Sequence, residues 1–356
     1  MKNVRILFLK EFRTYFNSPI AYIVLVAFLA ISGWFFASSL FLANQTTIGG
    51  FVDLVPLLFV LFVPAITMRL LAEEERLGTI EILTTLPVRE GHIILAKYLS
   101  SLALLAIGLA FSLVYPISVH LLGNLDWGEV ASTYLGLLLL GAGFGAIGIF
   151  SSSLSKSQVV SFIVGLVLCF FFFILGKVLP IVPTPLVTLV EYLSIDFHLD
   201  NITRGVIDSR NIIYYLSMIG FFLSLTLYSF RRSKGRAVPR VSALTLLGIV
   251  LVLNYLSYRV FRRVDLTHGN IYSLSRASRD VVRRLDDVVV VKSYITKDLP
   301  FPYNAHSKYL KDLLSEYRAN SRGKVRFELI NPSDRKEKME AMRQGVLPLK
   351  FTEVKA

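Results

Sequence analysis

The chain of 356 residues has one cysteine, Cys169, and it lies inside an apolar run, so no disulfide framework and no thiolate metal site is expected. Its five histidines, His92, His120, His198, His268 and His306, are scattered without ligand spacing, which argues against a metal centre. There is no G-x-x-x-x-G-K-S/T stretch to cradle a nucleotide phosphate and no G-x-S-x-G nucleophile turn. The chain is therefore not expected to be an enzyme by itself, and no cofactor is expected on it. Charge is also scarce in the middle of the apolar runs. Arg69 and Lys177 sit near run ends, where long side chains can reach water. Ion-coupled carriers commonly keep carboxylates or histidines near the bilayer midplane, so a secondary carrier is disfavoured.

Apolar residues, by contrast, make up 54 % of the chain and the mean hydropathy is +0.60. A bilayer core of about 30 Å needs about 20 mostly apolar residues per helix. Seven runs meet that length: Ile20–Leu42, Val52–Ala72, Ile93–Leu122, Ala131–Leu154, Gln158–Leu179, Asn211–Phe230 and Val241–Phe261. The expected fold is a mainly α, polytopic membrane protein. The first run starts too late and runs too long for a cleaved leader, and reads as an uncleaved span.

Orientation follows from the basic residues. Lys2, Arg5, Lys10 and Arg13 precede the first run, Arg69, Arg76 and Arg89 lie in the second connection, Lys156 in the fourth, and five bases from Arg231 to Arg240 in the sixth. The first and third connections have none, and the fifth (Pro180–Arg210) offsets Arg204 and Arg210 with four acids. This puts the N-terminus in the cytoplasm and the segment after Phe261 outside, at the cell membrane. The tail begins with Arg262 and Arg263, but earlier helices and short loops usually dominate orientation, and long domains translocate largely regardless of charge. The net charge of +13 is then explained by inside loops and a solvated tail, and nucleic acid is not expected as a partner.

The chain divides into an amphipathic helix (1–19), a six-span domain (20–230), a basic linker (231–240), a seventh span (241–261) and an outer α/β segment (262–356). In the first, Val4, Phe8, Phe12 and Tyr15 share one face opposite Lys2, Arg5, Lys10 and Arg13, which suits either a membrane-lipid anchor or one side of a docking surface. In the fourth run Gly141, Gly145 and Gly148 share a face that favours close helix packing. In the outer segment, strands are expected at Val288–Tyr294 and around Val325, Phe327 and Leu329, with a helix over His306–Asn320 between them, so the strands should be parallel. A further helix is expected over Asp334–Arg343, stopped by Gly345. So small a parallel sheet should be incomplete, or completed by another subunit.

The most informative stretch is EEERLGTIEILTTLPVREGHIILAKY, Glu73 to Tyr98, an island of charge and turn residues between two apolar runs. A simple reversal needs about five residues. With the basic amphipathic start and six runs around it, the first 230 or so residues resemble ABC-2 type transporter permeases, including gliding-motility-type ones. The resemblance implies that Glu73, Glu74, Glu75, Arg76, Gly78, Thr79, Glu81 and Pro87 form a coupling helix docking on a separate ABC ATPase subunit that binds the ATP. It also implies that Arg5, Phe8, Phe12 and Arg13 belong to an interface helix packed nearby. Arg263–Thr267, Tyr272–Ser275, Glu316-Tyr317-Arg318, Gly323-Lys324-Val325 and Asn331-Pro332 are similar to the opening of the gliding-motility-type auxiliary subunit of ABC transporters, although that family usually carries an acid at the place of Asn331 and a longer domain.

The expected function is the permease subunit of an ABC transporter, working as a dimer or paired with a similar permease, with export, the family's commoner direction, expected for a substrate that the sequence does not identify. The alternative is a force-transmitting or scaffold complex acting on an extracytoplasmic partner. A lined cavity would favour transport, and tight glycine-mediated packing would favour mechanical transmission.

Overall fold

The computed structural model describes residues 2–43, 48–85, 87–233, 241–259, 262–268, 273–296, 310, 313–318, 320–321, 323–332 and 335–347. The chain forms two compact units, Met1–His268 and Gly269–Ala356.

In the first unit the apolar runs become helices. The amphipathic start is α1 (Lys2–Phe16), and the first span is α2 (Pro19–Ala43). The second span is α3 (Gly49–Thr67), continued after Met68 by α4 (Arg69–Leu77), and the short α5 (Thr79–Thr85) follows. The third span is α6 (Glu90–Ser112) with α7 (Val114–Leu122), the fourth α8 (Trp127–Ser152) and the fifth α9 (Gln158–Lys177). Two shorter helices, α10 (Thr184–Leu193) and α11 (Ile195–Thr203), precede the sixth span, α12 (Ser209–Ser233). Six helices are thus long and apolar enough to cross a membrane among the described residues. The run expected as a seventh span forms α13 (Val241–Arg259), whose 19 residues make about 28 Å of helix. Within it, Thr245–Ser257 is an apolar helical stretch. Asn254 fixes it: its side-chain N–H donates to Ser217 Oγ at 2.8 Å, and its oxygen accepts from the Tyr192 hydroxyl at 2.9 Å.

The glycines of α8 explain why that helix is central. Gly136 lies against Ile202 and Leu199, Gly141 against Leu105 and Phe59, Gly143 against Met218, and Gly148 against Thr67. Without side chains there, neighbouring helices approach from several directions, and burial covers 78 % of the span's apolar window against 17 % for α9. The stripe read from sequence is thus a packing surface.

The connection before α12 contains β1 (Val206–Asp208), which pairs antiparallel with β2 (Arg263–Asp265) just beyond α13. Nothing in the sequence pattern marks this pair. Asp208, fully buried, takes Arg210 as its ion partner, with Arg263 at 3.8 Å. The segment after β2 is held by Asp126, the cap of α8, which accepts the His268 amide at 2.7 Å and the Gly128 amide at 2.8 Å. Burial works to raise the Asp126 pKa, but amide hydrogen bonds from His268, Gly128 and Glu129 outweigh it and hold the carboxyl below its ordinary value. The clasp therefore acts above the ordinary carboxylate pKa and is lost only as pH falls through the lowered one. A Cβ on Gly128 would fall on the Leu266 carbonyl. Gly128→Ala is expected to loosen residues 262–268 by about 1–3 kcal/mol, raising trypsin cleavage at Arg262 and Arg263 by about tenfold or more. Unchanged cleavage would mean that this segment does not rest on α8.

Among its described residues the second unit holds two strands, β3 (Val289–Tyr294) and β4 (Val325–Ile330), paired parallel from Val289 with Val325 to Tyr294 with Ile330. The parallel pairing matches the expectation. Only residues 310, 313–318 and 320 of the helix expected between them are described, all helical, and the rest of that expectation lies outside the described residues. The helix expected over Asp334–Arg343 runs Arg335–Arg343, and Gly345 follows with φ +83°. A further helix, α14 (Arg276–Arg283), is capped by Ser275, whose oxygen accepts the Ser278 amide at 3.1 Å. Among the described residues of this unit, Leu274, Val282, Leu314, Val325 and Ala341 are buried apolar side chains.

Candidate functional site at the α4–α5 hairpin

The charged island folds as two short helices hinged at Gly78. Gly78 has φ +72°, the left-handed geometry that glycine adopts at least cost, and its N–H reaches the Glu75 carbonyl at 3.4 Å. In α5, Ile80 and Leu83 turn inward and are buried, while Glu81 and Ile82 face out.

What aims this hairpin lies at Met68. Pro64 has no N–H to give Val60, and the Thr67 hydroxyl bonds back to the Val63 carbonyl at 2.9 Å. Ser152, at the end of α8, then inserts its hydroxyl into the helix ladder. It donates to the Met68 carbonyl at 2.8 Å and accepts the amides of Leu71 and Ala72 at 3.0 and 3.1 Å. One hydroxyl can donate once and accept twice, so its capacity is fully used. A side chain inserted in this way is a known cause of helix bending, and it sets where α4 leaves α3.

A buried ion cluster makes the second attachment. Lys97 of α6 is only 2 % exposed, with Nζ 2.8 Å from Glu74 Oε1 and 3.2 Å from Glu11 Oε2. Beside it, the Arg69 guanidinium lies 4.7 Å above the Tyr15 ring and bonds Ser18 Oγ at 3.3 Å. The Tyr15 hydroxyl donates to the Ile66 carbonyl at 3.0 Å, and burial raises its pKa far enough to keep the phenol neutral, although Arg69 opposes this. Helix α1 thus packs on α3 and α6.

The structure separates the residues singled out in the sequence. Glu73, Glu75 and Thr79 are half-buried, and Arg76, Gly78, Glu81 and Pro87 are exposed. Glu74 is turned inward to Lys97. On α1, Arg5 and Arg13 are exposed while Phe8 and Phe12 are half-buried and stacked at 5.6 Å. Phe12, Phe16 and Tyr22 continue this aromatic row at 5.1 and 5.9 Å. Sequence reasoning missed Glu11, Lys97 and Ser152, and also Leu77 and Ile82, which are 62 % and 66 % exposed at the hairpin tip. Two large apolar side chains in water, flanked by Arg76, Glu81 and Arg89, form a surface suited to a protein partner.

A family model described as "ABC-2 family transporter protein" matches residues 6–266, well over half of the chain. A second, a domain of unknown function (DUF7088), matches residues 268–356. The boundary between them falls where the two compact units divide. No curated protein matches the chain.

Proposed function

Because the chain belongs to the ABC-2 family of transporter proteins, we propose that it is a permease subunit whose α4–α5 hairpin receives the stroke of a separate ABC ATPase. One observation carries this reading: the hairpin is rigidly attached at its base by Ser152 and Lys97 and presents exposed Leu77 and Ile82 at its tip. A loop that only joined two spans would need neither feature. The ATP is bound by the partner, and closure of an ATPase dimer tilts the first, second and fifth spans through α4.

The central span is packed on many sides within one copy, while α2, α9 and α12 leave most of their faces open. A path for cargo then lies between two permeases, as a homodimer or with a similar subunit, and the direction is export. The acid-rich hairpin and the basic N-terminus lie in the cytoplasm of a multi-pass cell-membrane protein, and the second unit lies outside, resembling the opening of a gliding-motility-type auxiliary subunit and serving as a platform for an extracytoplasmic partner.

Affinity purification in mild detergent tests the reading. The wild-type chain should bring down a P-loop ATPase. Reversing Glu75 and Glu81 to lysine, or replacing Leu77 and Ile82 by aspartate, should reduce its recovery to background. Recovery at wild-type stoichiometry from both variants would remove the hairpin as the docking point.

A further inference from the structure

Three helices distant in the chain meet at one ammonium group. Glu11 of α1 and Glu74 of α4 both reach Lys97 Nζ, and all three side chains are largely withdrawn from water, at 12 %, 15 % and 2 % exposure. Taking such charges out of water is costly, and apolar side chains of similar volume often serve stability as well or better. Stability alone therefore gives little reason for charges here. A charged cluster adds direction: Lys97 holds two specific carboxylates on two specific helices at hydrogen-bonding distance.

The surroundings show what this fixes. Without the cluster, the hairpin would be tied to the bundle at the Met68 joint and through the short connection to Glu90. The buried Leu70, Leu71, Ile80 and Leu83 also seat it on the bundle, but apolar contacts of this kind permit sliding and fix no one direction. Lys97 closes a brace between the joint and the connection, from α4 directly across to α6, and draws α1 into the same joint. Two carboxylates share one ammonium, Lys10 approaches Glu11 only from the exposed side at 3.6 Å, and Glu74 Oε2 is buried without a hydrogen-bond partner among the described residues. Arg69 is committed to Tyr15 and Ser18. Lys97 is thus the cation that holds the three helices together.

We propose that Lys97 is the positioning residue that makes α1, the α4–α5 hairpin and the third span move as one body. A push received at the hairpin is then delivered to the third span directly, without passing through the exposed connection before Glu90. The delivery step rests on the proposed docking of an ATPase, whereas the brace itself does not.

The test uses the full chain with Cys169→Ala, leaving only introduced thiols for spin labels. Leu121, 81 % exposed at the far end of the third span, is paired in turn with Ile6 on α1 and Thr85 on α5. Each pair should give one narrow distance in the chain alone, unchanged when a co-purified ATPase is trapped with nucleotide and vanadate. The neutral triple variant Lys97→Met, Glu11→Gln, Glu74→Gln should elute and melt like the parent, and its trapped distances are read on the ATPase-bound fraction alone. Its distances should lose the single narrow peak and shift on trapping, while Lys97→Arg should keep the parent pattern. Unaltered distances in the triple variant, or a shift on trapping in the parent, would overturn the proposal. Failure of the parent to recover any ATPase would overturn the permease reading instead, and the comparison in the chain alone would still decide the brace.

Discussion

Replacing Lys97 by methionine alone is expected to destabilise the folded chain by about 3–5 kcal/mol, because it leaves two largely desolvated carboxylates with only the exposed Lys10, 3.6 Å from Glu11, as counter-charge. Glu11 and Glu74 have too little exposure for water to replace the ammonium in full. Thermal unfolding in detergent should show a large fall in midpoint, recovered in Lys97→Arg and in the triple variant that also neutralises both acids. The order matters more than the size: removing one charge should harm the protein more than removing all three. If Lys97→Met melted like the parent, the cluster would be hydrated and the three helices would be held together by apolar contacts alone.

Why this residue escapes a reading of the sequence is instructive. Lys97 stands near the start of the third span, behind Ile93, Ile94 and Leu95, where it looks like another positive charge at a cytoplasmic membrane face. Its partners lie on other helices, and no local period announces them. The three serines of 151–153 show the same limit. Ser151 and Ser153 bond back to carbonyls of their own helix, Gly148 and Phe150, while Ser152 enters the ladder of another. Identical side chains in a row thus do different things because of what faces them. The strands β1 and β2, three residues each, are too short to show alternation. Amphipathic periodicity, by contrast, marked α1, and apolar length found the six spans together with a seventh run, since both follow from local chemistry. The parallel pairing of β3 and β4 followed from the helical pattern between them. Leu77 and Ile82 were readable as apolar residues, but only their outward placement on the hairpin makes them a surface.

The fourth span yields the second large effect, and it separates two glycines that the sequence presents alike. A Cβ on Gly145 would meet Tyr98 Cε2 at 3.6 Å and Ser101 Oγ at 4.0 Å, which is ordinary contact. Gly145→Ala should be neutral or stabilising by up to about 1 kcal/mol, the helix-propensity gain. A Cβ on Gly148 would come within 2.9 Å of Thr67 Cβ and collide with its hydroxyl. Thr67 is fully buried, branched at Cβ and bonded to its own helix, so it cannot rotate away cheaply. Gly148→Ala should therefore cost about 1–3 kcal/mol through overpacking, and valine more. The damage falls one residue before Met68, where Ser152 sets the departure of α4, so the hairpin should be displaced and ATPase recovery should fall with the melting temperature. Thr67→Ala in the same chain removes the colliding hydroxyl and should restore part of both. That sub-additive pattern is what direct contact between the two sites requires. Strictly additive losses would mean that the second and fourth spans do not touch at Gly148, and the base of the hairpin would then have to be held by Lys97 alone.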